Sequence, residues 1–236
     1  LTSILQDAQA NGWIDHTPHF TTVIKYFNQP EITNFLLTLI EETSKELALI
    51  EKSFSIDATG FTSTMYKSWS GIRYEEPGRK RQFKKVHIMI GNKTQIITAI
   101  KVTHGHAADT KQFPNLLKST ANNFRVQKVC ADKAYLSIKN YELSSKEGAI
   151  PYIPFKEIST RKHGKPRIWK TMYREFKEYP EHYNKAYHER SQVESTFSSI
   201  KRKFGERLFT RNNKAQENEI LAKALAHNIC TVAKIL

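Results

Sequence analysis

The stretch Tyr187-His188-Glu189-Arg190-Ser191-Gln192-Val193-Glu194-Ser195-Thr196-Phe197-Ser198-Ser199-Ile200-Lys201 carries the most information in this chain. Residues 187, 190, 194, 197 and 201 are separated by steps of 3, 4, 3 and 4, so on a helix they share one face. That face reads Tyr, Arg, Glu, Phe, Lys. Three charges are too many for a core stripe, and a solvated face has no need of two aromatics. A carboxylate between cations and rings suits a helix held against a phosphodiester and a metal ion. A plainer reading also stands, in which Glu194 pairs with Arg190 one turn away as a surface salt bridge.

Two earlier blocks place an aspartate at the end of an apolar run. One is Phe54-Ser55-Ile56-Asp57-Ala58-Thr59-Gly60-Phe61, the other Val129-Cys130-Ala131-Asp132-Lys133-Ala134-Tyr135. Asp57 before Ala-Thr-Gly also fits a turn-organising role. Asp132 beside a buried strand end needs a partner or a metal. Asp57, Asp132 and Glu194 lie 75 and 62 residues apart, so only a fold can bring them together. Together the three blocks resemble the DDE transposases of bacterial and archaeal insertion sequences, with their Tyr-(2)-Arg-(3)-Glu-(6)-Lys signature. The resemblance runs from about residue 18 to the C-terminus.

That resemblance implies an α/β fold: a ribonuclease-H-like, mixed five-stranded sheet flanked by helices. It implies Asp57, Asp132 and Glu194 as catalytic residues and metal ligands. Magnesium prefers oxygen ligands, and two such ions can activate a nucleophile and stabilise the leaving oxygen of a phosphodiester. Two Mg2+ ions are therefore expected, with Mn2+ able to substitute. The implied reaction is cleavage at transposon ends followed by attack of the freed 3′ hydroxyl on target DNA, with a homodimer on the DNA. The alternatives are a domesticated transposase-derived nuclease, or a DNA-binding protein without transposition activity.

Composition points the same way. The chain has 236 residues with 37 Lys and Arg against 23 Asp and Glu, a net charge of +14 and a pI near 9.7. That excess favours a polyanionic partner over a small metabolite, because phosphate neutralisation supplies most of the affinity for nucleic acid. Tyr187, Arg190, Lys201, Arg202, Lys203, Lys133, Lys162 and Arg167 are the candidate DNA contacts. Arg190 and Lys201 equally suit charge balance around an acidic site, and the Tyr187 ring equally suits burial. Two cysteines, Cys130 and Cys230, read as small core residues and not as a disulfide framework. No apolar run reaches membrane-span length, so a cytoplasmic, nucleoid-associated protein is expected. The chain opens on Leu1, not Met, which leaves room for a preceding DNA-binding segment.

Along the chain, residues 1–51 read as an N-terminal helical segment and 52–236 as the catalytic domain. Asn28-Gln29-Pro30-Glu31 reads as a helix start with Asn28 as cap. Ile32, Phe35, Leu36, Leu39, Ile40, Leu47 and Ile50 then follow at helical spacing. Strands are expected over 52–57, ending at Asp57, and over 86–90, 94–100, 126–132 and 150–155. Gly91 is expected to supply positive φ to a hairpin, and Pro151 and Pro154 to mark an edge strand. Asp109 reads as the cap of a helix to Asn122, while the resemblance also allows it as an acid supporting the site, and Ser137 reads as the start of another helix. Residues 156–180 read as a basic loop with Trp169, Tyr173 and Phe176 interleaved, able to close on DNA or to stand as a solvated linker. The last helix, about 215–235, places Ile220, Leu221, Ala224, Leu225, Ile229 and Val232 on one side. His104-Gly105-His106 lacks the partners of a zinc site.

Overall fold

The computed structural model describes residues 2–63, 83–157, 159 and 164–235. Lys162 lies outside the described residues. Five strands form one sheet in the order β3-β2-β1-β4-β5: β1 (Ser53–Thr62), β2 (Phe83–Gly91), β3 (Ile97–His104), β4 (Lys128–Ala131) and β5 (Ile150–Tyr152). β1 pairs antiparallel with β2, and β2 with β3. β1 pairs parallel with β4, and β4 with β5. This is the mixed α/β sheet that the strand and helix order predicts. Pro151 lies in β5, the edge strand, where a missing N–H is tolerated.

Period-two alternation along β1 divides the core. Phe54 and Ile56 point to one face, where they meet Met89, Phe113, Val129, Tyr141 and Trp169. That face is covered by α4 (Phe113–Asn123), α5 (Ile138–Lys146), α6 (Arg167–Glu178) and α7 (Pro180–Tyr187). Phe61 points to the other face with Ile88 and Ile90, against α3 (Pro30–Lys45), α8 (Ser191–Phe204) and α9 (Asn213–Ile235). α1 (Thr2–Ala10) and α2 (Phe20–Phe27) precede them. Two buried asparagines fix α9. Asn218 donates to Phe27 O and Gln29 O and accepts from the Thr33 hydroxyl. Asn228 accepts from Ile97 N–H at 2.9 Å and donates to Ile97 O at 2.8 Å, completing a strand end that lacks a further partner.

Several local expectations change. α3 starts at Pro30 with Gln29 at its N-cap and no side-chain cap, while Asn28 caps the C-terminus of α2. The buried face of α3 is Thr33, Leu36, Ile40 and Ser44, and Phe35 is exposed. Ile229 is likewise exposed on α9. Asp57 does not end its strand, because β2 continues to pair with β1 as far as Thr62. The positive φ of the β2–β3 turn falls on Gln95, at 63°. Gly91 is needed for space instead: a Cβ there would come within 2.3 Å of the buried Glu51 side chain. Glu51 accepts from the Lys93 and Thr94 N–H groups and so closes that turn. Asp109 opens a single 3-10 turn, Asp109–Lys111, and α4 begins only at Phe113. Ser137 does cap α5, accepting from Asn140 N–H at 3.1 Å.

The second half of the expected basic loop is helix α6, and residues 158 and 160–163 lie outside the described residues. Trp169, Met172, Tyr173 and Phe176 recur at i, i+3, i+4 and i+7, which is an amphipathic stripe, and they pack into the apolar cluster that contains Phe54 and Ile56. Phe155 and Trp169 stand perpendicular at 4.9 Å between centroids. No helix among the described residues is long and apolar enough to cross a membrane.

Candidate active site

The register of the parallel pair β1–β4 sets two acids side by side. Ile56↔Ala131 is its last rung, so Asp57 and Asp132 are the next residue on each strand. Asp57 points to the face that α8 crosses, opposite to Ile56. The Asp132 carboxylate accepts from the Lys133 N–H at 2.5 Å, which fixes it at the start of a 3-10 turn, Lys133–Tyr135. Glu194 sits in the first turn of α8, near the positive end of that helix.

Arg190 joins all three. Its guanidinium lies 2.5 Å from Glu194 Oε1, 3.9 Å from Asp132 Oδ2 and 4.0 Å from Asp57 Oδ2. Burial pushes the Asp57 carboxyl up to about 6, against the pull of Arg190 and the Ala58 N–H, and Asp132 and Glu194 push it in the same direction as burial. Burial works against the Arg190 charge, yet Asp57, Tyr187, Glu194 and Asp132 hold its pKa above the ordinary value. The buried Arg190 Nε has no hydrogen-bond partner among the described residues.

The signature stretch is not one continuous helix. α7 ends at Tyr187, a 3-10 turn spans His188–Arg190, and α8 starts at Ser191. Glu189, which the sequence reading passed over, explains the break. Its carboxylate takes Ser53 Oγ at 2.6 Å, Asn92 Nδ2 at 3.1 Å and the Lys128 ammonium. Burial opposes its ionisation, but these donors hold its pKa below the usual range. The turn is thereby tied to the starts of β1 and β4, and Arg190 is aimed at the acids. No spacing rule finds this residue, since its partners come from three distant segments.

The other candidate DNA contacts are spread out. Tyr187 is half-buried against the α4–α7 side of the core, and burial raises its phenol pKa. Lys201 lies over the Phe61 ring at 5.5 Å and 3.8 Å from Glu206, and burial lowers its pKa. Arg202 and Lys203 are exposed on the last turn of α8, Lys133 beside Asp132, and Arg167 at the start of α6.

A second polar cluster lies on the opposite face of the sheet. Asp109 takes Lys85 Nζ at 2.6 Å and stands 3.4 Å from His87 Nδ1, while His87 Nε2 meets Thr103 Oγ1 at 3.0 Å. Burial drives the His87 pKa down to about 4, partly offset by Asp109. Folding therefore favours the neutral ring. That stabilisation, about 3 kcal/mol for a shift of this size, is complete above the unfolded value near 6.5 and lost as pH falls through 4. Urea midpoints measured between pH 7 and pH 4 should fall for the native protein and fall less for His87→Gln. An equal slope in both would rule His87 out as the source.

Residues 51–229 match the model of the transposase DDE domain. The chain belongs to this family. Over 222 residues it is also 25% identical to a protein of Archaeoglobus fulgidus named as the probable transposase for insertion sequence element ISA1214. That alignment takes in 90% of this chain and 63% of the archaeal protein, so the chain spans less than two thirds of that relative's length. The matched DDE domain begins two residues before β1 and ends within α9. It includes all five strands and the three acids that meet at Arg190.

Proposed function

We propose that the protein is an insertion-sequence transposase that cuts phosphodiester bonds at element ends and transfers the strand to target DNA. The observation that carries this reading is the meeting of Asp57, Asp132 and Glu194 on the single guanidinium of Arg190. Three carboxylates from two strands and a helix have no structural need to share one cation. They make sense as a site that gathers positive charge.

DDE transposase domains generally use divalent metal ions. Among the described residues no three acid, histidine or cysteine side chains yet stand close enough together to hold one. The residues nevertheless fit such an ion. All the donors are carboxylate oxygens, the kind magnesium and manganese take. Asp57 holds its proton up to about pH 6 because one Arg does not compensate its burial. Asp57, Asp132 and Glu194 would hold the metal, with Mg2+ the expected ion. When bound, the metal supplies activation of the attacking hydroxyl and stabilisation of the leaving oxygen. Arg190 keeps the acids gathered and balances their charge. Lys133, Arg202 and Lys203 supply exposed positive charge for the DNA backbone on either side. Lys201, held over Phe61, fixes the far end of the same helix.

The test uses labelled duplexes carrying the DNA termini that flank the gene. In Mg2+ the protein should nick at the element end, leave a 3′ hydroxyl and join it to a target plasmid. EDTA should stop both steps. Cutting without joining would reduce the protein to a nuclease, and binding without cutting in Mg2+ or Mn2+ would sink the catalytic reading.

A further inference from the structure

From the last turn of α8 into the first turn of α9, residues 201–214 carry six Lys or Arg against one acid, and Arg207 and Arg211 lie in the connection itself. The connection bridges to Thr62 at Arg207, and its burial alternates. Leu208 is buried, while Arg207, Phe209 and Arg211 face solvent, and the Phe209 ring is 82% exposed. Other exposed apolar side chains have different company: Trp13 stands two residues from Asp15, and Leu49 lies between Glu46 and Glu51. Phe209 alone of these three has an exposed arginine two residues away in sequence on each side.

The backbone beneath Phe209 is braced from three directions. Glu219 accepts from the Phe209 N–H at 3.0 Å and from both the N–H and the hydroxyl of Thr210. Lys223 donates to Gly205 O at 3.1 Å and Arg207 O at 2.7 Å. Thr62, the last residue of β1, donates to Glu206 O and accepts from the Leu208 N–H. This pairing uses the edge of β1 that β4 leaves free beyond Ala131. The fold thus holds a hydrophobic ring out in water on a fixed support, between two guanidinium groups. A ring needed only for packing would turn inward, as Leu208 does. Exposed rings between backbone-tracking cations are how proteins hold unstacked nucleotides, because every base offers a face to stack on.

We infer that Phe209 is a stacking platform for an unpaired base of DNA, with Arg207 and Arg211 on the phosphates beside it. The inference rests on the reading of this protein as a DNA-acting transposase and adds a contact to it. Thr62 lies five residues along β1 from Asp57, about 16 Å. That is about five base-pair rises of duplex, so the platform would take a base opened some nucleotides from the phosphate held at the acids.

Binding of the native protein to a single-stranded dT20 oligonucleotide and to a dA20·dT20 duplex, across a salt series, tests this. Phe209→Ala should weaken dT20 binding at least about fivefold, the low end of one base–aromatic stack, with the salt slope unchanged. Phe209→Trp should restore it, and duplex affinity should change less than twofold. Arg207→Ala should lower the dT20 slope by about 0.7, the value for one lost phosphate on a single strand. Equal dT20 affinity in Phe209→Ala and the native protein overturns the inference. So does loss of self-association in Phe209→Ala with DNA binding intact, which would assign the ring to a second copy of the chain. Cleavage assayed on the same preparations separates the two claims: Phe209-dependent dT20 binding without cleavage supports the platform and refutes the transposase reading.

Discussion

Asp57→Asn should lower strand cleavage about 10³-fold, the upper end of the cost of removing one charge-stabilising group, and raise the stability of the metal-free protein at pH 8. The two effects share one cause. Asp57 sits in a strand beneath α8, and burial raises its carboxyl to about 6 from an ordinary value of 3.8. An acid whose folded pKa is raised favours the folded state below its unfolded pKa, and that contribution is lost as pH rises through the folded value. At pH 8 the ionised group therefore costs about 3 kcal/mol relative to pH below 3.8. Asn removes that cost while keeping the shape. It also removes the negative charge that a divalent cation would need. DNA affinity should stay nearly intact, because it comes mainly from basic residues. Cleavage assays in Mg2+ with denaturant midpoints at pH 8 and pH 4 check both halves. Native-rate cleavage by Asp57→Asn would remove Asp57 from the site. Equal midpoints for the two proteins at pH 8 would mean that burial of its charge carries no strain.

What could be read in the sequence follows the range of the interactions. The strands were legible because alternation and turn residues are local, and Ser137 as a cap because its partner is three residues away. Antiparallel pairing among the early strands and parallel pairing among the later ones followed from the succession of elements, since parallel pairs require crossovers. The run from Tyr187 to Lys201 has a helical period and no Gly or Pro breaker, so nothing local announces the 3-10 turn at His188–Arg190. The turn is set by Glu189, whose partners Ser53, Asn92 and Lys128 come from three separate segments. The same holds for Gly91, which reads as a turn glycine until Glu51 is seen to fill the space beside it. The meeting of the acids on Arg190 is a product of the β1–β4 register, which no spacing in the chain encodes. Residues 156–180 are a different case. The helical stripe was present in the sequence, but the density of Lys and Arg around it suggested a solvated loop.

That stripe yields the largest expected loss of stability. Trp169→Ala should destabilise the protein by about 3–5 kcal/mol, the usual cost of deleting a large buried ring and leaving a cavity. Trp169 is buried, edge-on to Phe155 at 4.9 Å and to Tyr141 at 5.2 Å, with Lys165 Nζ over its outer face at 5.4 Å. Tyr141 is itself fixed by its hydroxyl, which donates to Ile153 O at 2.6 Å, so the pocket has little freedom to collapse around a missing indole. Arg167→Ala, two residues earlier on an exposed position, should stay within about 0.5 kcal/mol. Urea unfolding of both variants decides between two roles for this segment. If α6 is part of the core, Trp169→Ala lowers the midpoint steeply and DNA binding by the folded fraction is unchanged. If the segment is instead an aromatic, basic arm that closes on DNA, Trp169→Ala leaves the midpoint in place and weakens binding. A midpoint within about 1 kcal/mol of the native value would restore the loop reading. The core reading is favoured because Trp169, Met172, Tyr173 and Phe176 form one face of a helix and all four pack on the same apolar cluster, which leaves the ring no open side on which a base could stack.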